Sequence, residues 1–77
     1  MKEIKLESRD GTDNKLVQIE NTTDCYKLKT PYSYRRGITT EGNQFVDPSG
    51  GPFITKGTKI DKYVVEEVLP NGDIILV

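Results

Sequence analysis

Residues 62–77, KYVVEEVLPNGDIILV, decide the predicted fold because they read as two strands joined by a tight turn. Apolar and β-branched residues flank the pair Asn71-Gly72, which tolerates the positive φ angles of a two-residue type I′ turn. Such a turn places Val68 opposite Ile75, and we expect Ile75 to lie in the core. The stretch therefore predicts a β-hairpin and a β fold.

The composition favours strands along the whole chain. The 77 residues include no Ala, no His and no Trp, whereas Ile, Val, Thr and Tyr are frequent. The single Cys excludes an intramolecular disulfide, and without His or a second Cys no zinc site can be built. We therefore expect no cofactor, and we expect stability to come from core packing or from association with another chain.

Alternating apolar residues predict further strands at 3–7, 15–20 and 25–30, with Ile4, Leu6, Val17 and Ile19 facing inward. Residues 32–40 and 44–46 predict a second hairpin, and 53–55 and 58–60 predict two short strands. The regular spacing of turns predicts an all-β fold: one small domain spanning 1–77, an SH3-like or open β-barrel of about six short antiparallel strands.

The plan resembles that of small SH3-like barrels in its architecture, although the aromatic signatures of SH3 peptide-binding domains are missing. The resemblance implies a fold and supplies no function.

The amino-terminal residues 1–7, MKEIKLE, alternate charged and apolar side chains and contain no hydrophobic signal core. No apolar run approaches membrane-spanning length, so we expect no membrane association. The simplest interpretation is a cytoplasmic protein of a bacterium, or the cytoplasmic product of a bacterial virus.

The charges are unevenly distributed, and residues 25–40 carry cations and tyrosines but no acid. Cations interleaved with aromatic rings suit a surface that holds phosphates or grips an acidic peptide. We expect residues 32–36 to leave the regular sheet as a loop, because proline ends the preceding strand and Gly37 permits a bend. The alternative, which the sequence favours, is that Tyr26 and one other tyrosine pack in the core while the lysines and arginines solvate an edge strand. The predicted binding residues are Tyr32, Tyr34, Arg35, Arg36, Lys27 and Lys29.

Catalytic chemistry has little support in the sequence. Glu66 and Glu67 are adjacent, and neighbours on a strand point to opposite faces, so they cannot act together on one substrate. Lys27 and Lys29 would lower the pKa of Cys25 if they lay near its thiol, but there is no histidine to act as its base, so we expect a passive, reduced cysteine. The loop at 47–52, DPSGGP, offers either an anion-binding nest of amides or a flexible connection. We therefore expect that the protein is not an enzyme.

Two functions remain. The first is a non-catalytic binding module, an accessory or inhibitor protein that docks on a larger protein through strand edges and residues 32–36. The alternative is a nucleic-acid or nucleotide binder that uses residues 32–36, whose affinity would fall steeply with salt. The run at 74–77, IILV, is apolar on both faces, which predicts either intramolecular cover or a homodimer through the C-terminal strand.

Overall fold

The structure is a computed structural model of the 77-residue chain that describes residues 2–7, 14–30, 34–48 and 50–77. Within these ranges every regular element is a β-strand, which confirms the predicted all-β fold. The strands of the described ranges are β1 (Glu3–Leu6), β2 (Asn14–Gln18), β3 (Cys25–Leu28), β4 (Tyr34–Ile38), β5 (Gln44–Pro48), β6 (Ile54–Thr55), β7 (Lys59–Ile60), β8 (Tyr63–Val68) and β9 (Ile74–Leu76).

Six of these strands form an antiparallel sheet that is nearly closed into a barrel, in the order β1-β2-β3-β9-β8-β7. The other three form a small second sheet in the order β4-β5-β6. The predicted small β-barrel is therefore confirmed, with β4 to β6 added as a separate sheet. Because β1 and β7 are the two ends of the six-stranded sheet, the barrel remains open between them.

The core is formed by apolar side chains from the inward faces of both sheets. Val46 on β5 and Ile54 on β6 are both 0% exposed, so the inner face of the small sheet packs into the same core as the barrel. Burying side chains of this kind contributes about 1.5–3 kcal/mol each. The buried apolar residues are Ile4, Leu6, Leu16, Tyr26, Leu28, Val46, Ile54, Ile60, Val65, Val68, Ile74 and Leu76.

The inward face of β2 differs from the sequence prediction. Leu16 is 0% exposed, whereas Val17 and Ile19 are only partly buried and lie on the outer face. Strand pairing determines which face of β2 is buried, because Leu16 stands opposite the buried Ile4 of β1 and the buried Leu28 of β3. The prediction that Val17 and Ile19 face inward is therefore wrong.

The hairpin of β8 and β9 is confirmed, but its loop has three residues instead of two. The Leu69 N–H donates to the Asp73 carbonyl at 2.7 Å, and the Gly72 N–H donates to the Leu69 carbonyl at 2.9 Å. Gly72 has a φ of 94°, and Asn71 has no positive φ, so a type I′ turn is excluded. Pro70 fixes φ near the value required at the first central position of a type I turn, and Gly72 then takes the left-handed position.

The longer loop shifts the strand register by one residue. Val68 stands opposite Ile74, and a bulge at Glu66 follows between Val65 and Glu67. Ile74 is consequently 0% exposed, whereas Ile75 is partly buried on the outer face. The prediction that Ile75 lies in the core is wrong, because a one-residue shift exchanges the two faces of a strand.

Candidate binding surface

The predicted loop at 32–36 contains part of a regular strand. Every residue of β4 is paired with β5, from Tyr34 opposite Pro48 to Ile38 opposite Gln44. The prediction that this segment leaves the sheet is therefore wrong over its described residues, and Tyr32 lies outside them. The expected hairpin of this region is confirmed, and a glycine with positive φ closes it, as in the β8–β9 hairpin.

Gly37 does not bend the strand, because the ring of Phe45 covers it. A Cβ atom built on Gly37 would lie 2.5 Å from Cζ of Phe45, so the ring occupies the space that a side chain would otherwise fill. An aromatic ring that packs over a glycine in this way supplies the contact that a strand glycine lacks. The absence of a side chain at Gly37 therefore makes room for the ring of Phe45.

Adjacent residues of β4 point to opposite sides of the small sheet. Arg35 points outward, and its Nε and Nη2 atoms each lie 3.2 Å from Oδ2 of Asp47. The side chain of Arg35 is 77% exposed, so this ion pair contributes little to stability. Folding thus brings an acid next to a cation that has none near it in sequence.

Tyr34 and Arg36 lie on the other side of β4, against the β8–β9 turn. A Cβ atom built on Gly72 would lie 2.8 Å from the Tyr34 hydroxyl oxygen and 3.1 Å from Cδ of Arg36. Tyr34 also packs against the core. The structure therefore divides Tyr34, Arg35 and Arg36 between two faces, and they do not form one site.

The outer side of the small sheet carries an aromatic pair that the sequence analysis did not identify. The ring centroids of Phe45 and Phe53 lie 4.5 Å apart, with an interplanar angle of 36°. Phe53 is 41% exposed, and the core lies on the other side of the sheet. The available sequence signal was alternation: Phe45 on β5 precedes the buried Val46, and Phe53, just before β6, precedes the buried Ile54. We call Arg35, Phe45, Asp47 and Phe53 the Phe face.

Lys27 and Lys29 belong to a basic patch on the outer side of the barrel. Lys5 on β1 stands directly opposite Lys15 on β2, and the Lys29 N–H donates to the Lys15 carbonyl at 2.9 Å. Nζ of Lys15 lies 3.3 Å from Oε1 of Glu3, and this ion pair compensates part of the positive charge. Like charges placed directly opposite one another destabilise a sheet, so stability does not explain this arrangement. We call Lys5, Lys15, Lys27 and Lys29 the lysine patch.

The remaining reactive groups are weakly placed for chemistry. Burial raises the pKa of the Cys25 thiol, and the nearby carboxylates of Asp73 and Asp24 raise it further, so the neighbouring lysines do not lower it. Among the residues that the structure describes, no cluster of three or more His, Cys, Asp or Glu is arranged to hold a metal ion.

Comparison with known proteins adds no relative. No protein-family model matches the chain, and neither the curated proteins nor the solved structures yield a match. In the described ranges no helix is long and apolar enough to cross a membrane. The function is therefore inferred from the arrangement of the chain's own residues.

Proposed function

We propose that the protein is a non-catalytic binding module, a small cytoplasmic accessory or inhibitor protein that docks on a larger protein through the Phe face. The supporting observation is the exposed ring of Phe53, which packs on Phe45 on the side of the small sheet that faces away from the core. Arg35 lies on the same side and is largely exposed. Aromatic residues, phenylalanine included, and arginine are enriched at protein interfaces relative to the rest of the surface.

A purely structural role accounts for only part of the Phe face. Phe45 is needed to cover Gly37, and this contact explains its position. The cover of Gly37 comes from Phe45 and not from Phe53, and 41% of the surface of Phe53 remains in water. The contact between the two rings is worth only about 0.5–1.5 kcal/mol. Burial of Phe53 by a partner would remove that apolar surface from water.

The neighbouring residues Arg35 and Arg36 provide a matched test of this proposal. Arg35→Glu changes the charge on the Phe face, whereas Arg36→Glu makes the same change on the opposite side of β4. We expect Arg35→Glu to weaken partner binding at least about tenfold, which corresponds to about 1.4 kcal/mol. We expect Arg36→Glu to change it less than threefold.

A second pair of variants tests the aromatic component. Phe53→Ser removes exposed apolar surface from the Phe face, and Ile38→Ser removes it from a site that is 70% exposed on the other side of the sheet. Each variant is immobilised in equal amount, and the proteins captured from a lysate of the source cells are quantified by mass spectrometry. The proposal requires a protein that is retained by wild type, Arg36→Glu and Ile38→Ser but lost with Arg35→Glu and Phe53→Ser. If no protein shows this pattern, the Phe face is not a docking surface.

The lysine patch favours a second function, the binding of a nucleic-acid backbone. Four lysines on neighbouring strands provide the positive charge that phosphate contacts need, although the net charge of the whole chain is −1. Fluorescence anisotropy with a labelled single-stranded oligonucleotide tests it. Binding should weaken steeply with salt and be lost in a Lys15→Glu, Lys29→Glu double variant, whereas Arg35→Glu should leave it unchanged. An affinity that is independent of salt would exclude this function.

The predicted homodimer through the C-terminal strand has to use the face of β9. Both edges of β9 are paired, with β3 on one side and β8 on the other. Beside the outer face of β9, Val77 is 64% exposed and Val64 is 36% exposed. The two residues are paired, because the Val64 N–H donates to the Val77 carbonyl at 2.9 Å. Sedimentation at micromolar concentration tests whether this face associates, and a Val64→Lys variant should abolish any dimer formed there.

A further inference from the structure

The edge of β1 that faces the barrel opening has backbone groups that pair with no other described strand. Hydrogen-bonded residues alternate along an antiparallel pair, and the Gln18 N–H donates to the Lys2 carbonyl at 2.9 Å. The even-numbered residues of β1 therefore bond to β2, so Glu3 and Lys5 turn their N–H and C=O groups toward the opening. Within the described ranges no strand pairs with that side of β1.

The edge of β7 bounds the same opening. The Val65 N–H donates to the Thr58 carbonyl at 2.9 Å, so by the same alternation Lys59 turns its backbone groups away from β8. Two clefts, of about 550 Å³ and about 170 Å³, lie between the β1 segment and the segment around β7. A side-chain contact spans the opening at one end, where Nζ of Lys2 donates to the Tyr63 hydroxyl at 2.8 Å.

We propose that the edge of β1 binds an extended segment of another protein, which adds as an antiparallel strand in the opening between β1 and β7. A row of backbone N–H and C=O groups is matched by an extended peptide backbone, which offers the same groups at the same spacing. This site involves none of the residues of the Phe face, and it does not depend on the function proposed for that face.

The side chains of β1 define the segment that fits. Glu3, Lys5 and Glu7 are exposed and alternate with the buried Ile4 and Leu6. Opposite charges directly across an antiparallel pair stabilise it, and lysine on a sheet edge disfavours arbitrary strands. The partner segment therefore carries an acid opposite Lys5, bases opposite the two glutamates, and apolar residues between them.

A free segment fits the opening better than a second copy of the chain does. The edge of β1 faces β7, and both edges line the smaller cleft together. A second copy would have to bring its whole barrel to this edge. A free segment occupies the place of a single strand, at a spacing of about 4.8 Å from a neighbouring strand on each side.

The test uses the synthetic peptide acetyl-Lys-Val-Glu-Val-Lys-amide, added up to millimolar concentration to the full chain labelled with ¹⁵N. We expect saturable shifts of the amide resonances of Glu3 and Lys5. Two control peptides separate backbone pairing from charge attraction. In one, every charge is reversed. In the other, the central glutamate is N-methylated, which leaves every charge in place and removes the N–H that would donate to the Lys5 carbonyl. We expect each control to bind at least about tenfold more weakly.

A matched pair of protein variants completes the test. Lys5→Glu should weaken binding of the first peptide about tenfold, and Lys27→Glu, a change of equal charge on β3, should leave it within threefold. The proposal is overturned if the Glu3 and Lys5 amides do not shift at millimolar peptide, or if the N-methylated peptide binds equally well. Shifts of the same amides with protein concentration alone would show that the occupant is a second copy, and would also overturn it.

Discussion

Replacing either of two adjacent isoleucines with alanine tests the register of the β8–β9 hairpin. Ile74→Ala removes three carbon atoms from a site that is 0% exposed. At about 0.8 kcal/mol for each buried CH₂, the transfer loss is about 2.4 kcal/mol, and the cavity that remains raises the cost to about 3–4 kcal/mol. Ile75 is partly buried on the outer face opposite Cys25 and Glu67, where water fills the vacated space. We expect Ile75→Ala to cost about 1 kcal/mol.

Urea unfolding followed by circular dichroism measures both free energies, with equal m-values as the check on two-state behaviour. The expected difference of about 2–3 kcal/mol corresponds to a gap in Tm of about 8–24 °C for a domain of this size. If Ile74→Ala does not fold, the valine variants preserve the comparison, since Ile→Val at a buried site costs about 0.5–1.5 kcal/mol. A loss for Ile75→Ala equal to or larger than that for Ile74→Ala would refute the three-residue loop and restore the register of a two-residue turn.

Three further substitutions test local features. Gly37→Ala should displace the ring of Phe45 and lower the free energy of unfolding by about 0.5–1.5 kcal/mol. This loss of stability should disappear when Phe45 is already replaced by Leu, and an unchanged loss there would show that the ring does not cover Gly37. Gly72→Ala should cost more than about 1 kcal/mol in thermal unfolding because φ is 94°, and a neutral result would contradict that turn conformation. The raised pKa of Cys25 keeps the thiol protonated at neutral pH, so the pH midpoint of its alkylation rate should lie above that of a free thiol. Asp73→Asn should lower this pH midpoint, and no change would exclude the Asp73 carboxylate as a cause of the raised pKa.

The strands could be predicted from the sequence because they depend on local signals. Alternation places Ile4 and Leu6 on one face, and the structure buries both. Pro70 also carried a local signal for the correct turn, since its fixed φ suits the first central position of a type I turn. The pair Asn71-Gly72 carries the competing signal for a two-residue turn, and that turn gives the wrong register.

The faces of the strands and the grouping of charges depend on pairing that is distant in sequence. β2 offers two apolar patterns, Leu16 on one face and Val17 with Ile19 on the other, and only the neighbours on β1 and β3 decide between them. The acid that balances Arg35 is Asp47, which reaches it through the register of β4 and β5. A window of consecutive residues therefore predicted one basic site where the fold produces two separate faces.

The choice of the Phe face over other exposed apolar residues follows from what surrounds each of them. Ile38 is 70% exposed and Val77 is 64% exposed, so each exposes a larger fraction of its surface than Phe53 does. A scattered apolar residue is normal on a protein surface, whereas a contiguous apolar group calls for a reason. Phe53 packs on a second ring and shares its side of the sheet with Arg35, so it belongs to a group. Ile38 lies opposite Gln44 beside the turn that closes its hairpin, and Val77 pairs with Val64 beside the last strand. The Phe face is therefore where a partner would bury an aromatic pair and meet an arginine in one contact.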